Sequence, residues 1–438
     1  MPAPAKKTVN FSIDGGVKLS GTISTNTAKN SAVSLLCASL LNTGKTVLEK
    51  MPRIEEVNRI IEVLESIGVH AAWNKNTLTL ERPEKLRFEK LDVAAAMRTR
   101  SVIMLIGPLI HEMKSFEIPQ TGGCRLGSRT VRPHFFALEK LGVKIKTAES
   151  AYRISLSSLK KNREIVLYET GDTVTENILM AAARVDGTTT IKFASANYMV
   201  QDLCRFLIAL GVKIEGVGTS TLVVRGIPRI NASIRFAPGE DPIESMLFLS
   251  IAATTNSSIV ITRCPIDFLE LELLKLEKMG FKYRILKRYI SENGHTNLVD
   301  IKTSPSKLVA LEEKIEARPF PGLNIDNLPF FVPIAAAAKG QTLIHDWVYE
   351  NRAIYYMELT KLGADMVLAD PHRVYINGPA KFRPAEIVCP PALRPAAIIL
   401  IAMLAAPGHS VLRNVYSINR GYEDLANRLR KLGAKIKR

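Results

Sequence analysis

The stretch Leu138-Glu139-Lys140-Leu141-Gly142-Val143 is one of six copies of a phrase that recurs along the chain. In every copy a leucine stands four residues before a glycine, and an apolar or small residue follows. The six glycines are Gly68, Gly142, Gly211, Gly280, Gly363 and Gly433. They lie 74, 69, 69, 83 and 70 residues apart. Because self-similarity at a nearly fixed period marks a repeat architecture, we predict that the 438 residues form six structural units.

Each of these glycines ends a segment with the apolar spacing of an amphipathic helix. A glycine at that position favours a left-handed cap, which terminates a helix. A strand-like segment follows the glycine, as in Val143-Lys144-Ile145-Lys146. The phrase therefore predicts an amphipathic helix, a glycine cap and a strand in every unit.

A second pattern precedes each amphipathic segment: a short helical run that is apolar nearly all round. The six runs are residues 31–41, 101–110, 178–183, 245–253, 328–338 and 396–406. Helices without a polar face must be buried. Turn residues and a β-rich segment follow most of the runs, so sheets would cover the helices. Each unit reads as buried helix, strand, amphipathic helix, strand. The many β-rich segments disfavour the alternative, a solenoid of helix pairs.

Six units divide into two pseudo-symmetric halves of three. We predict an N-terminal lobe over residues 29–235 and a discontinuous C-terminal lobe over residues 1–28 and 236–438. The β-like segments at residues 9–13 and 18–23 precede the first unit, and we expect them to join the last one. The predicted fold class is therefore α/β, with two domains.

The composition is that of an ordinary globular protein, with 47% hydrophobic and 23% charged residues. The first residues lack the apolar region of a cleavable signal, and the apolar runs are too short to span a bilayer. Five scattered cysteines show no metal-ligand spacing, which indicates free thiols in a reducing cytoplasm and no structural metal. The net charge of +17 is dispersed. It favours a cation-lined cleft for small anionic ligands over nucleic acid, and we expect no membrane partner.

The glycine-rich stretch Gly122-Gly123-Cys124-Arg125-Leu126-Gly127-Ser128-Arg129 suits a sharply bent loop rather than a helix or strand. Arg125 and Arg129 would favour the thiolate of Cys124 and hold an anion. The alternative is a glycine-rich turn with an incidental cysteine. Both readings stay open on the stretch alone.

With this loop, several short motifs resemble those of the enolpyruvyl transferases over the whole chain. The motifs are the cysteine loop, Ala28-Lys29-Asn30, Glu350-Asn351-Arg352, Arg394-Pro395-Ala396-Ala397 and Ile418-Asn419-Arg420-Gly421-Tyr422-Glu423. The resemblance implies a two-domain inside-out α/β barrel of six βαβαββ-like units, with the active site in the cleft between the lobes. It also implies transfer of the carboxyvinyl group of phosphoenolpyruvate to a hydroxyl, with release of phosphate. The motifs favour the branch whose acceptor is UDP-N-acetylglucosamine. Enzymes of that branch catalyse the first committed step of peptidoglycan synthesis and are the target of fosfomycin.

By the same resemblance, several cations bind phosphoenolpyruvate. Lys29, Arg129 and Arg420 would meet its phosphate. Arg352 and Arg394 would clamp its carboxylate, with Arg100 close by. A confined site for a compact anion that carries both a phosphate and a carboxylate needs several fixed cations, which is why these residue types suit the chemistry. No cofactor or metal is implied.

The resemblance also assigns proton transfers and acceptor contacts. Cys124 would protonate the methylene carbon of phosphoenolpyruvate, Asp326 would accept the proton of the acceptor hydroxyl, and Lys29 counts as catalytic. The acceptor-binding residues implied are Asn30, Asp326, Arg132 and Glu350. Asp241 and Glu244 match a structural pair near the start of the fourth buried helix. His134 matches a histidine with a packing or orienting role.

The chain departs from the family pattern mainly on the acceptor side. The departures are Glu55-Glu56 in place of Lys-Asp, Glu169–Thr173 in place of a lysine and a Ser-Val-Gly phosphate cradle, Arg132 in place of an aspartate, residues 197–199 in place of an acidic run, and Ala392 in place of an aspartate. Two alternatives therefore stay open. One is a sister transferase that uses another nucleotide or sugar phosphate, and the other is a non-catalytic paralogue that binds a ligand or partner.

Overall fold

A computed structural model describes residues 9–120 and 130–438. The described residues divide into two compact units. The N-terminal unit comprises residues 27–120 and 130–239, and the C-terminal unit comprises residues 9–26 and 240–438. The location of the active site between two lobes stays a prediction.

The chain enters the C-terminal unit with two strands, β1 (Phe11–Gly15) and β2 (Ser20–Ser24). The N-terminal unit then contains the helices α1 (Lys29–Ala38), α2 (Glu55–Ser66), α3 (Val93–Ala96), α4 (Ile106–Leu109), α5 (Arg132–Lys140), α6 (Asp172–Ala182) and α7 (Tyr198–Ala209). Its strands are β3 (Thr46–Leu48), β4 (His70–Asn74), β5 (Thr77–Glu81), β6 (Ser115–Pro119), β7 (Val143–Thr147), β8 (Ala151–Leu156), β9 (Arg163–Val166), β10 (Gly187–Lys192), β11 (Lys213–Glu215), β12 (Thr221–Gly226) and β13 (Ile234–Phe236). Short 3-10 helices cover Ser39–Leu41, Phe88–Lys90 and Arg100–Leu105.

The rest of the C-terminal unit repeats this alternation. Its helices are α8 (Pro242–Thr254), α9 (Glu270–Lys278), α10 (Phe331–Ala337), α11 (Leu393–Ala405), α12 (Tyr416–Asn419) and α13 (Leu425–Lys431). Its strands are β14 (Ser258–Pro265), β15 (Lys282–Ile290), β16 (Asn297–Ser304), β17 (Ile315–Glu316), β18 (Gly340–His345), β19 (Asp365–Asp370), β20 (Arg373–Gly378), β21 (Glu386–Val388), β22 (Gly408–Arg413) and β23 (Lys435–Lys437). The 3-10 helices are Ile266–Phe268, Leu328–Phe330 and Ala353–Leu362.

Within the described ranges the strands form six sheets, one for each predicted repeat. Five sheets have four strands, in the orders β13-β3-β5-β4, β9-β10-β12-β11, β2-β14-β16-β15, β17-β18-β20-β19 and β21-β22-β1-β23. The sixth has the order β6-β8-β7. In each four-stranded sheet the first pair of strands is parallel and the other pairs are antiparallel. The repeated α/β architecture predicted from the glycine phrase is therefore present.

The two N-terminal strands do not share one sheet, and this corrects a prediction. Strand β1 pairs with β22 and β23 of the last repeat, as expected. Strand β2 instead runs parallel to β14 of the fourth repeat, with Ser20 opposite Ser258. The matching position beside β3 in the first repeat is filled by β13. Alternation along a strand shows which face is buried but does not identify a distant partner, so this exchange left no local signal.

The all-round apolar runs are buried helices, as predicted. Every residue of α8 is buried, and so are the residues of α11 from Arg394 to Leu404. Helices α1, α6 and α10 and the segment of residues 101–109 are likewise almost wholly buried. The sheets pack against these helices, since no polar face is available to meet water.

The phrase glycines adopt the backbone conformation that the sequence predicts. All six have a positive φ, between 80° and 102°. A residue with a side chain rarely adopts this conformation, so glycine lets each helix end and the chain turn into the next strand. One helix differs in type, because the residues before Gly363 form the 3-10 helix Ala353–Leu362.

Candidate active site

Among the predicted ligands of phosphoenolpyruvate that the structure describes, Arg352 is the most enclosed. It immediately precedes the 3-10 helix Ala353–Leu362, and its side chain is only 1% exposed. Its Nε and Nη2 donate to the two carboxylate oxygens of Asp346, at 2.6 and 2.8 Å. The ring of Tyr349 lies 4.3 Å from the guanidinium carbon. Nη1 is buried without a hydrogen-bond partner and lies 3.9 Å from Oδ1 of Asp326.

Arg394, the second residue of α11, contacts the same carboxylate. Its Nη2 donates to Oδ2 of Asp326 at 3.2 Å, and its Nη1 donates to the hydroxyl of Tyr422 at 2.7 Å. The structure therefore brings Arg352, Arg394 and Asp326 together. Two buried guanidinium groups beside one half-buried carboxylate form a site that can hold a small anion and accept a proton.

The first turn of α8 adds a second carboxylate near Arg394. Asp241 caps this helix and accepts a hydrogen bond from the backbone N–H of Ile243 at 2.8 Å. Burial raises the pKa of Asp241 to about 6; the Arg394 charge opposes the rise, and Glu244 adds to it. Glu244 accepts from the backbone N–H of Asn26 at 2.6 Å and pairs with Arg428. These contacts agree with the structural role predicted for Asp241 and Glu244.

The remaining predicted residues of the C-terminal unit lie near the ends of short elements. Arg420 is half-buried and follows α12 directly. Glu350 is exposed, two residues before Arg352. Ala392 is 1% exposed and stands just before α11, where no side chain caps the helix. An aspartate at this position could have capped α11, so its absence removes a carboxylate beside Arg394.

In the N-terminal unit, Lys29 and Asn30 begin α1 and are half-buried. The side-chain amide of Asn30 donates to the hydroxyl of Tyr198, at the start of α7, at 3.1 Å. Glu176 on α6 is 2% exposed. Burial and the neighbouring Asp172 raise the pKa of Glu176 well above its ordinary value, and the charge of Lys29 only partly offsets them. This part of the unit therefore combines a predicted catalytic cation with a carboxyl group that favours the protonated form.

Two segments that depart from the family pattern contact each other in the structure. Asp172 is the first residue of α6 and accepts from the hydroxyl of Ser195 at 2.6 Å. Its other oxygen accepts from the side-chain amide of Asn197 at 3.2 Å. The helix N-terminus, which favours an anion, thus already carries a carboxylate of the chain itself.

Arg100 and His134 are linked through electrostatics. Arg100 begins the 3-10 helix Arg100–Leu105 and donates to the carbonyl oxygen of Thr130 at 3.2 Å. Burial lowers the pKa of His134 to about 3, and the charge of Arg100 contributes. The neutral ring contacts Asn177 at 3.1 Å and Thr173 at 3.3 Å, which fits the predicted orienting role. Arg132 is exposed at the start of α5.

The predicted residues Cys124 and Arg129 lie outside the described residues, as does Arg125. The other four cysteines are buried thiols: Cys37, Cys204, Cys264 and Cys389. Burial raises the pKa of Cys204, Cys264 and Cys389 to about 12 and that of Cys37 further. Such thiols are poor nucleophiles and poor acids near neutral pH.

Sequence reasoning did not single out four polar residues that shape the site. Asp346 and Tyr356 surround Arg352, Tyr422 receives a hydrogen bond from Arg394, and Glu176 lies near Lys29. Tyr422 was part of a quoted motif but received no role. Asp346 follows strand β18 directly, a position where polar side chains often serve a site, and this signal could have identified it.

Within the described ranges, no cluster of histidine, cysteine, aspartate and glutamate could hold a metal ion. The helices of the same ranges are all too short or too polar to cross a membrane.

The repeated architecture defines the class of protein. The structure superposes on that of the enolpyruvyl transferase NikO from Streptomyces tendae, with a TM-score of 0.83 and 24% identity, and the match covers 98% of each chain. It is also similar to EPSP synthase from Acinetobacter baumannii, with a TM-score of 0.75 and 20% identity over 98% of this chain and 99% of that one. These likenesses confirm the predicted fold class.

Sequence comparison then identifies the family. Residues 13–429 match the model of EPSP synthase (3-phosphoshikimate 1-carboxyvinyltransferase). The chain is 33% identical to the UDP-N-acetylglucosamine 1-carboxyvinyltransferase of Bradyrhizobium diazoefficiens over 98% of both chains. It is 33% identical to that of Treponema denticola over 97% of this chain and 98% of the relative. The chain belongs to the EPSP synthase family of enolpyruvyl transferases.

Proposed function

We propose that this protein transfers the enolpyruvyl group of phosphoenolpyruvate to a hydroxyl of UDP-N-acetylglucosamine and releases phosphate, an early step of peptidoglycan synthesis in the cytoplasm. The observation that carries the proposal is the pair of buried guanidinium groups, Arg352 and Arg394, on either side of Asp326. Full-length similarity to relatives that bear this activity in their names supports it.

The arrangement of the cations suits the two charged groups of phosphoenolpyruvate, its carboxylate and its phosphate. Arg352 and Arg394 would bind its carboxylate, because a guanidinium matches a carboxylate with two parallel N–H groups. Lys29, Arg129 and Arg420 would bind its phosphate. Positive groups fixed before the ligand arrives lose little free energy in reorienting, so they stabilise developing charge effectively.

The proposed reaction is an addition followed by an elimination. The acceptor oxygen bonds to C2 of phosphoenolpyruvate while Asp326 takes the hydroxyl proton and Cys124 gives a proton to C3. The new methyl group then returns a proton to the Cys124 thiolate, and the electron pair of that C–H bond forms the double bond again. The bond from C2 to the phosphate oxygen breaks, and the phosphate leaves with the proton that Asp326 held. Two contacts support a role for Asp326 at the phosphoenolpyruvate site, since one oxygen accepts from Arg394 and the other lies 3.9 Å from Nη1 of Arg352.

The direct test is phosphate release from phosphoenolpyruvate with UDP-N-acetylglucosamine, measured together with the mass of the product. We expect one phosphate per carboxyvinyl nucleotide sugar, and no release without the acceptor. If the folded protein binds phosphoenolpyruvate but releases no phosphate with this acceptor, the assignment is wrong.

The role of Cys124 has an independent test. Fosfomycin, an epoxide phosphonate, should alkylate Cys124, and mass spectrometry of peptides locates the adduct. The other four cysteines act as internal controls, because burial suppresses their thiolate forms. Modification of Cys37 or Cys204 with Cys124 intact would contradict the role of Cys124.

One observation favours a second candidate, a sister transferase with another acceptor. Asp172, at the N-terminus of α6, accepts hydrogen bonds from Ser195 and Asn197. Asp172 and Asn197 both lie in segments where the chain departs from the family pattern. A carboxylate there repels an acceptor diphosphate. Thermal shifts with UDP-N-acetylglucosamine, UMP and sugar phosphates separate the candidates, since the true acceptor should raise the melting temperature most.

A further inference from the structure

Arg352 is held by two residues that the proposed reaction does not otherwise use. Asp346 is fully buried and accepts both Nε and Nη2 of Arg352. Tyr356 is also fully buried, and its hydroxyl donates to Oδ2 of Asp346 at 2.6 Å. The two residues come from different elements, since Asp346 follows β18 and Tyr356 lies in the 3-10 helix Ala353–Leu362. The carboxylate that pairs with the arginine is therefore held by a residue of a second element.

The backbone of Asp346 is fixed as well. Its N–H donates to the carbonyl oxygen of His372 at 2.7 Å, and its own carbonyl oxygen lies 2.9 Å from Nδ1 of His372. Burial raises the pKa of Tyr356 well above its ordinary value, against the opposing charge of Arg352, and Asp346 adds to the rise. Tyr356 thus keeps the proton that it donates, and Asp346 is left with little freedom to rotate.

Among the residues that the structure describes, Nη1 of Arg352 has no hydrogen-bond partner. It is buried, and a buried N–H without a partner is unfavourable. The nearest acidic oxygen, Oδ1 of Asp326, is 3.9 Å away, beyond hydrogen-bond distance. Nε and Nη2 of Arg352 both donate to Asp346, so Nη1 is the terminal nitrogen of the guanidinium that Asp346 does not engage.

We propose that Asp346 and Tyr356 are positioning residues that turn the guanidinium of Arg352 so that Nη1 faces the carboxylate of phosphoenolpyruvate. This inference rests on the proposed function, because it takes phosphoenolpyruvate as the ligand of Arg352. Asp346 sets the plane of the guanidinium through two hydrogen bonds, and Tyr356 fixes the rotation of Asp346. The bound carboxylate then completes the hydrogen bonding of Nη1.

The test uses Tyr356→Phe and Asp346→Asn. In Tyr356→Phe, Oδ2 of Asp346 still accepts from Arg352, so no buried acceptor is stranded and the variant should fold. Asp346→Asn keeps the shape but removes the charge. Tyr283→Phe is the control. Tyr283 lies on strand β15, and its hydroxyl also donates to a carboxylate, Oε1 of Glu277, at 2.5 Å.

The readouts are the KM for phosphoenolpyruvate, kcat, the dissociation constant of phosphoenolpyruvate by calorimetry, and inhibition by inorganic phosphate. We expect Tyr356→Phe to lower the affinity for phosphoenolpyruvate about tenfold, because it removes a hydrogen bond to a charged group. Asp346→Asn should lower this affinity further, because it also removes the charge that pairs with Arg352. Inhibition by phosphate should change less than about twofold, because phosphate does not need Arg352. The control should leave every readout at the wild-type value.

Two results would overturn the inference. One is unchanged affinity for phosphoenolpyruvate in both folded variants. The other is an equal loss of affinity for inorganic phosphate, which would indicate general disruption. Calorimetry separates the two proposals: if the wild type binds phosphoenolpyruvate but does not use UDP-N-acetylglucosamine, only the acceptor is wrong. A wild type that binds no phosphoenolpyruvate would overturn both.

Discussion

The two units each bury a polar cluster, and the clusters differ in how burial is compensated. In the C-terminal unit, Arg352 and Asp346 are buried as an ion pair with two hydrogen bonds. In the N-terminal unit, Glu176 is buried near Asp172, and its raised pKa favours the protonated carboxyl. In one cluster the buried charges are paired, and in the other burial raises the pKa of the carboxyl group.

The difference teaches where fixed charge is available for chemistry. A paired guanidinium stays charged at every ordinary pH, so the C-terminal cluster can always meet an anion. The charge of the Glu176 cluster varies with pH and with whatever binds near Lys29. We therefore expect substitutions in the first cluster to have the larger effects, and pH to act mainly on the second.

The largest expected effect is on the ion pair itself. Arg352→Ala leaves Asp346 as an unpaired buried carboxylate, which should lower the free energy of unfolding by about 3–5 kcal/mol. Urea denaturation of both proteins at neutral pH measures this loss. A change below about 1 kcal/mol would mean that the pair contributes no more than a surface pair.

Next in size is the effect of Arg394→Lys on activity. Lysine keeps the charge but cannot donate to both Tyr422 and Asp326 in the same fork geometry. We expect kcat/KM for phosphoenolpyruvate to fall about 100-fold, as for loss of one charge-stabilising donor, with the melting temperature little changed. Steady-state kinetics would contradict the carboxylate clamp if the fall were less than about threefold.

A smaller effect concerns the pH dependence of stability. The folded pKa of Glu176 lies above its ordinary value of 4.5, so above that pH the folded state holds a proton that the unfolded chain releases. Stability therefore falls as pH rises through this range. The charged neighbours of Glu176 are Asp172, Asp202 and Lys29. Glu176→Gln resembles the protonated carboxyl group and leaves these neighbours in place, so it should remove the loss of stability that Glu176 causes as pH rises.

Melting temperatures of Glu176→Gln and the wild type between about pH 5 and about pH 8 measure this difference. The melting temperature of the variant should rise relative to that of the wild type as pH rises. Glu117→Gln, on an exposed pair with Arg153, is the control and should show no such trend. A pH-independent difference for Glu176→Gln would mean that the carboxyl is charged when buried.

The smallest expected effect is at the exposed pair of Arg153 and Glu117, whose Nε and Oε1 lie 2.7 Å apart. Water screens this pair, so Arg153→Ala should cost no more than about 1 kcal/mol of unfolding free energy and leave kcat unchanged. A loss as large as that of Arg352→Ala would show that burial is not what separates the two pairs.

Local signals in the sequence predicted the repeats, because a glycine cap and an all-round apolar helix depend on neighbouring residues. The six positive-φ glycines and the buried α8 and α11 are examples. The exchange of β2 and β13 between sheets was missed, since strand pairing joins residues more than 180 apart in the chain.

The family motifs pointed to Arg352 and Arg394, and the resemblance assigned a role to Asp326. The residues that orient them were not predicted. Tyr356 donates to Asp346, the partner of Arg352, and that contact exists only once the strand end and the following 3-10 helix are packed together. The roles of Cys124 and Arg129 stay predictions, outside the described residues.

The most direct test of the central claim compares two ligands on two proteins. Phosphoenolpyruvate and vinyl phosphate, which lacks the carboxylate, are titrated by calorimetry into the wild type and Arg352→Lys. The account predicts that the wild type prefers phosphoenolpyruvate by about 100-fold and that the variant loses most of this preference. Equal preference in both proteins would contradict it.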